Sequence, residues 1–145
     1  MTAGTVEGIT LVVDSSGATR VVDAVDASAE GGLEGDYHSD LTLIASEALE
    51  GLFSDTGIEL TGEQSRRNVL TSGIDLNALV GRRFAVGDVE AVGVELAEPC
   101  TKLQRISGER GVLRGLVHRG GLRADVISGG RIRVGDAVQA PDDGR

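Results

Sequence analysis

The chain has 145 residues and a formal net charge of −9, with one cysteine, two histidines, two phenylalanines, one tyrosine and no tryptophan. That length suits a single domain with one adequate core. The totals exclude an intrachain disulfide and a four-cysteine zinc site, and they leave no aromatic faces for stacking single-stranded nucleic acid.

The charge is uneven. Residues 1–65 hold 13 acidic and 1 basic side chain, whereas residues 66–133 hold 7 acidic and 12 basic ones. The acidic excess argues against non-specific nucleic-acid binding, and the basic middle suits either a small anionic ligand or neutralisation of the acidic elements in the fold. The amino terminus, MTAGTVEGITLVVDSSG, has no basic leader and no long apolar run, so a soluble protein with no membrane association is expected. Its single cysteine fits a reducing, cytoplasmic compartment.

In chain order, apolar runs at 8–14 and 19–25 flank a Ser-Ser-Gly turn and read as a β-hairpin. Residues 28–40 form a polar, glycine-rich loop, and LTLIA at 41–45 is a short strand. Residues 46–57 look helical: Ser46 suits the N-cap, Leu49, Leu52 and Phe53 share a face, and Gly57 ends the element. A strand follows around 66–71, then one helical turn capped by Asp75 and closed by Gly81. RRFAVGDVEAVGVELA reads as strand, Gly-Asp turn, strand. Beyond it, Leu103 and Ile106 have helical spacing that stops at Gly108. LRADVISGGRIRVGDAVQA reads as two strands across a Gly-Gly turn. The fold class is mainly β: an antiparallel or mixed β-barrel with a few short helices, one domain over 1–139 and a loose tail over 140–145.

Three places carry candidate chemistry. Cys100 lies in EPCTKLQRI, with Lys102 and Arg105 close by and a helix predicted just after it. Cations and a helix start favour a thiolate, which is a soft metal ligand; an unpaired cysteine is also a common buried hydrophobe. His38 lies in the glycine-rich loop, and with His118 as the only other histidine no ligand spacing such as HxxxH appears. RRNVLTSG at 66–73 gathers Arg66, Arg67, Asn68, Thr71 and Gly73, a set that suits an oxyanion or, equally, a solvated strand end before a cap. It is neither a Walker loop nor GxGxxG, and no GxSxG serine motif occurs.

Four stretches in this order carry a resemblance: GDYH at 35–38, RRNVLTSGIDLNALVGRRFAVGD at 66–88, EPCTKL at 98–103 and HRGGLRADVISGGRIRVGDAV at 118–138. Together they resemble the MOSC domain family, named for the C-terminal domain of molybdenum cofactor sulfurase. The resemblance implies a MOSC-type β-barrel and makes Cys100 the functional residue, either a molybdenum ligand or a sulfur carrier. It implies that Arg67, Asn68, Thr71 and Gly73, with Arg66 as an addition, help receive a molybdopterin and its phosphate. Asp36 and His38 would line or brace the same pocket, and Lys102 and Arg105 would add cations. A family-level label of pyridoxal phosphate binding comes with it, attached to no residue here. Relatives often carry a longer, basic loop after the Gly-Asp-x-His element, where this chain has only Ser39 and Asp40 before Leu41.

The leading expectation is a protein that binds the molybdenum cofactor and reduces small N-hydroxylated compounds by oxo transfer. Its electrons would come from a separate partner, because no flavin, haem or iron–sulfur signature is present. One alternative is a persulfide carrier on Cys100 served by a desulfurase partner. Another is a non-catalytic cofactor-binding or carrier domain.

Overall fold

The computed structural model describes residues 2–97 and 120–140. Its organising element is the first strand, β1 (Thr2–Val12), which is longer than the predicted run. β1 pairs antiparallel with three other strands along its length. Thr2–Thr5 lie against β11 (Ala137–Ala140), Thr5–Ile9 against β6 (Val69–Ser72), and Ile9–Val12 against β2 (Thr19–Val22). The change of partner is helped by a register shift between Val6 and Gly8, where a bulge bends the strand.

The predicted hairpin is present, but its second run divides at Asp23. β2 stays with β1, while β3 (Ala24–Ser28) leaves for a small second sheet of order β10-β3-β4, with β4 at Gly32–Leu33 and β10 at Gly130–Arg133. The main sheet runs β11-β7-β8-β9-β5-β6-β1-β2, where β5 is Leu41–Ala45, β7 Arg83–Val86, β8 Val89–Leu96 and β9 Leu122–Ser128. The additional β11–β1 pairing closes seven of these strands into a barrel, which leaves β2 outside the ring. All the strand pairs are antiparallel except β5 with β6. The mainly β barrel expected from the strand pattern is therefore the observed fold.

Strand alternation explains the core. Leu41 and Leu43 of β5 point into the barrel with Val6, Ile9, Val69, Leu122 and Val138, all essentially inaccessible to solvent. Ile44 points the other way and packs with Leu49, Leu52 and Leu60 beneath α1 (Ser46–Thr56). Branched aliphatic side chains thus fill a barrel in which Phe84 is the one buried aromatic among the described residues.

The helix prediction holds in extent and ends at Gly57, which adopts φ +77°. Two details differ. Ser46 is the first helical residue, because Ala45 at the end of β5 takes the cap position with no side-chain cap. Phe53 is 53% exposed, because Ala48, Leu49 and Leu52 cover the strands without it.

A short helix α2 (Gly62–Ser65) precedes β6 and escaped prediction, although Thr61 and Gln64 form a reciprocal capping box that is visible as T-x-x-Q. Asp75 caps a 3₁₀ turn at Leu76–Leu79, as expected. The Gly-Gly step at 129–130 is not a hairpin, since β9 pairs with β8 and β5 while β10 pairs with β3. A Cβ at Gly130 would strike the Asp88 carbonyl and one at Gly129 the Ala27 carbonyl, so close backbone approach requires these glycines. Ala140 belongs to β11 rather than to a tail, and residues 141–145 lie outside the described set. Among the described residues no helix is long and apolar enough to cross a membrane.

Leu43 faces Val69 across one neighbouring strand and Leu122 across the other. Truncation to Leu43→Ala is expected to cost about 3 kcal/mol. Urea unfolding should show this as a lower midpoint with an unchanged slope.

Candidate functional site

At one end of the barrel a polar cleft of about 440 Å³ lies between the 36–40 loop with Thr42 of β5, residues 66–68 and the end of β8 at Glu95–Ala97, with Arg123 beside it. Five of the residues singled out in the sequence meet here: Asp36, His38, Arg66, Arg67 and Asn68. Thr71 lies further along β6, fully buried, with its hydroxyl donating to the Ile44 carbonyl. Gly73 lines a separate hollow of about 400 Å³ with Glu47, Asp75, Asn77 and Gly121. An extended strand advances about 3.3 Å per residue, so Arg67 and Gly73 stand at different ends of the barrel wall. Cys100, Lys102 and Arg105 lie outside the described residues.

Asn68 is the hub of the cleft floor. Its Oδ1 accepts from the Thr42 amide at 3.0 Å and the Thr42 hydroxyl at 3.1 Å, while its own amide donates back to Thr42 Oγ1 at 3.0 Å. Its Nδ2 donates to the Thr10 carbonyl and to Asp36 Oδ1, both at 3.0 Å. An N–H facing Oδ1 and two oxygens facing Nδ2 settle the amide orientation. Asn68 therefore joins β1, β5 and the glycine-rich loop with its hydrogen-bonding capacity taken up inside the protein.

Asp36 completes this network. It accepts from the Val12 amide at 2.8 Å and the His38 amide at 3.1 Å as well as from Asn68. The loop is thereby held, and the His38 ring stands perpendicular to Tyr37 with centroids 5.1 Å apart.

The arginines divide their work. Arg66 ends α2 with φ 59°, the one non-glycine residue of positive φ among the described residues, a position that carries backbone strain. Its Nε donates to the Gly17 carbonyl and its Nη1 to the Gln64 carbonyl. Burial draws its guanidinium below the ordinary value, with Glu63 opposing. A partly desolvated cation of this kind gains from an anionic neighbour. Arg67 donates to the Ala97 carbonyl, just past β8, and to the Gly120 carbonyl, just before β9.

Arg123, which sequence reasoning missed, pairs with Glu95 at 3.1 Å and Asp40 at 3.8 Å. The alternation in LRADVIS carried the signal, because Leu122 and Ala124 are buried and Arg123 must then face outward.

This donor set fits an anionic group. Arg66 and Arg67 come from the turn before β6 and Arg123 from β9; Asp36 is committed to N–H donors and Asp40 and Glu95 to Arg123, so the partly desolvated Arg66 is the cation that suits such a group. The volume falls in the range of small-molecule sites. Among the described residues no group of three histidine, cysteine or carboxylate side chains is arranged to hold a metal ion.

The family model for the MOSC domain matches residues 30–139. The chain belongs to the MOSC domain family. No curated relative matches the sequence. Among solved structures, the YuaD protein from Bacillus subtilis superposes with a TM-score of 0.83 at 18% identity, covering 94% of each chain. YiiM from Geobacillus stearothermophilus gives 0.76 at 15% identity over 97% of this chain and 76% of its own. YiiM from Escherichia coli gives 0.71 at 18% identity over 98% and 70%. At these identities the likeness establishes the fold, and the MOSC barrel is the scaffold of the cleft.

Two predictions follow from this geometry. Asn68→Ala strips partners from Thr10, Thr42 and Asp36 at once, and it should destabilise the protein by about 3 kcal/mol, read by denaturant unfolding. The second concerns Glu47, which accepts from the Gly73 amide at 2.8 Å; that bond holds its carboxyl below the ordinary range, with burial opposing. A carboxyl depressed in the folded state adds stability above its unfolded pKa, near 4.3, and loses it as pH falls through the folded value. The stability gap between wild type and Glu47→Gln should therefore be present at neutral pH and close in acid, measured by urea unfolding across that range.

Proposed function

We propose that this MOSC protein binds the molybdenum cofactor in the cleft beside Arg66, with the Cys100 thiolate as the protein's ligand to the metal. The observation that carries the reading is the meeting of the Arg66–Asn68 turn, the Asp36–His38 loop and Ala97 beyond β8 around one polar cleft. Cys100 follows Ala97 by three residues, a stretch that reaches about 11 Å at most, so the cleft is within its covalent reach.

Arg66, with its partly desolvated charge, and His38 at the cleft lining would hold the anionic end of the pterin, with Lys102 and Arg105 as further cations. Asn68 and Asp36 would set the shape of the floor, and Thr71 would hold β6 from within the barrel. The bound group would supply oxo-transfer chemistry, in this reading the reduction of small N-hydroxylated compounds with electrons from a separate redox partner. The residues' own part is to bind, orient and enclose.

The test is to purify wild type and Cys100→Ser from a host that makes the cofactor and to assay molybdenum and pterin. Stoichiometric molybdenum that disappears in Cys100→Ser is expected. Metal-free protein with cyanide-releasable sulfur on Cys100 would replace the reading with a persulfide carrier. Neither metal nor sulfur would leave a non-catalytic domain.

A further inference from the structure

Six charged side chains line the cleft, three of each sign: Arg66, Arg67 and Arg123 against Asp36, Asp40 and Glu95. Counting His38 as neutral, the lining carries no net charge. An entering anion therefore gains little from the cleft's field unless one of these pairings gives way. Asp36 accepts from three N–H groups and Arg67 donates to two backbone carbonyls, so both are committed to the fold.

Arg123 is held on one side only. Its place on β9 faces Glu95 on β8 and Thr42 on β5. Register thus sets Glu95 directly opposite, and its carboxylate accepts from Nε at 3.1 Å. Among the described residues this is the one hydrogen bond of the Arg123 side chain. Asp40 lies two residues before Thr42 and so sits diagonal to Arg123, where spacings across a sheet are about 7–8 Å. Its Oδ2 stands 3.8 Å from Nη1, close enough for an ion pair and too far for a hydrogen bond. The Arg123 and Asp40 side chains are 34% and 27% exposed, and ion pairs with that much contact with water contribute little. The Asp40 contact is the pairing in the cleft that gives way most readily.

We propose that Asp40 is an internal counter-ion that occupies Arg123 in the ligand-free protein, and that a dianionic group such as a phosphate monoester displaces it to lie between Arg123 and Arg66. The proposal deepens the anion-binding reading of the cleft and rests on it. Glu95 keeps Nε, and the planar fork then presents Nη1 and Nη2 to the anion. Arg66 has its Nε and Nη1 on the Gly17 and Gln64 carbonyls, which leaves Nη2 to donate. Arg66 precedes β6 and Arg123 lies on β9, with β5 between those strands. Two strand spacings make a gap of about 10 Å, which two arginine side chains can close on one phosphate. A monoanion merely replaces the charge of Asp40, so the exchange favours a dianion.

The test is a titration with inorganic phosphate at constant ionic strength, followed through the Nε–H signals of Arg66 and Arg123 in NMR spectra. It compares wild type, Asp40→Asn, Arg123→Gln and the double variant. Phosphate is expected to shift both arginine signals in wild type. Asp40→Asn should tighten binding about threefold, the fold-change that corresponds to the coupling of an exposed ion pair. Arg123→Gln should weaken it about tenfold, the worth of one charge-assisted hydrogen bond. In the double variant the gain from Asp40→Asn should vanish, because Asp40 acts through Arg123. A gain that persists in full would mark a general charge effect and overturn the proposal, as would phosphate that shifts Arg66 alone. If phosphate moves neither signal, the anion-binding reading of the cleft falls and the proposal with it. Wild-type protein that carries no molybdenum would contradict the cofactor reading alone, since the titrations need no metal.

Discussion

The barrel depends on the antiparallel ladder that joins Thr2–Thr5 to Ala137–Ala140. Without it the main sheet would be an open ribbon from β11 to β2, with two exposed edges and a one-sided core. With it, Val6 of β1 and Val138 of β11 enter the same apolar interior as Leu43 and Leu122. Closure also explains why so few aromatics suffice. A seven-stranded ring is narrow enough for valine, leucine and isoleucine to fill, each in a well-defined rotamer. The bulge at Glu7 lets one strand serve this closing ladder and the β1–β2 hairpin on different headings.

The cleft is a consequence of that closure. β1 ends beside β6 and β5, so the Thr10 carbonyl, the Val12 amide, Thr42 and Asn68 converge at one end of the barrel. Asn68 and Asp36 satisfy one another there, and the described residues hold no buried side-chain polar atom without a partner. A network of this kind is strong because each member would be costly to orphan. It holds the glycine-rich loop as a wall and leaves Arg66 and His38 at the lining, with Arg123 ion-paired to Asp40 and Glu95 beside them. The division of labour in Arg66-Arg67-Asn68 follows from local geometry: the positive φ at Arg66 turns the chain, so three consecutive residues serve three different partners.

Much of this was legible from sequence for identifiable reasons. Alternation in LTLIA and in FAVGDVEAVG gave the strands because each has one face in the barrel. Gly57, Asp75 and Gly81 marked helix ends by their own chemistry. What local pattern could not show was which sheet a strand joins. The run at 19–25 divides at Asp23 and the Gly129-Gly130 step is no hairpin because their partners lie far away in sequence. The site followed the same rule. The clustering of Asp36 and His38 with residues 66–68 was accessible through the family resemblance. The separation of Thr71 and Gly73 from that cluster, and the bonds of Arg67 to the Ala97 and Gly120 carbonyls, needed the strand direction and pairing.

The central claim is that the cleft bounded by Asp36, Arg66 and Ala97 is where this MOSC protein holds its cofactor. The direct measurement is anomalous diffraction at the molybdenum edge on crystals of cofactor-loaded protein. The account predicts one molybdenum peak at the Cys100 sulfur, beside that cleft. A peak in the hollow around Gly73 and Glu47, or loaded protein whose metal sits on the outer surface, would contradict it.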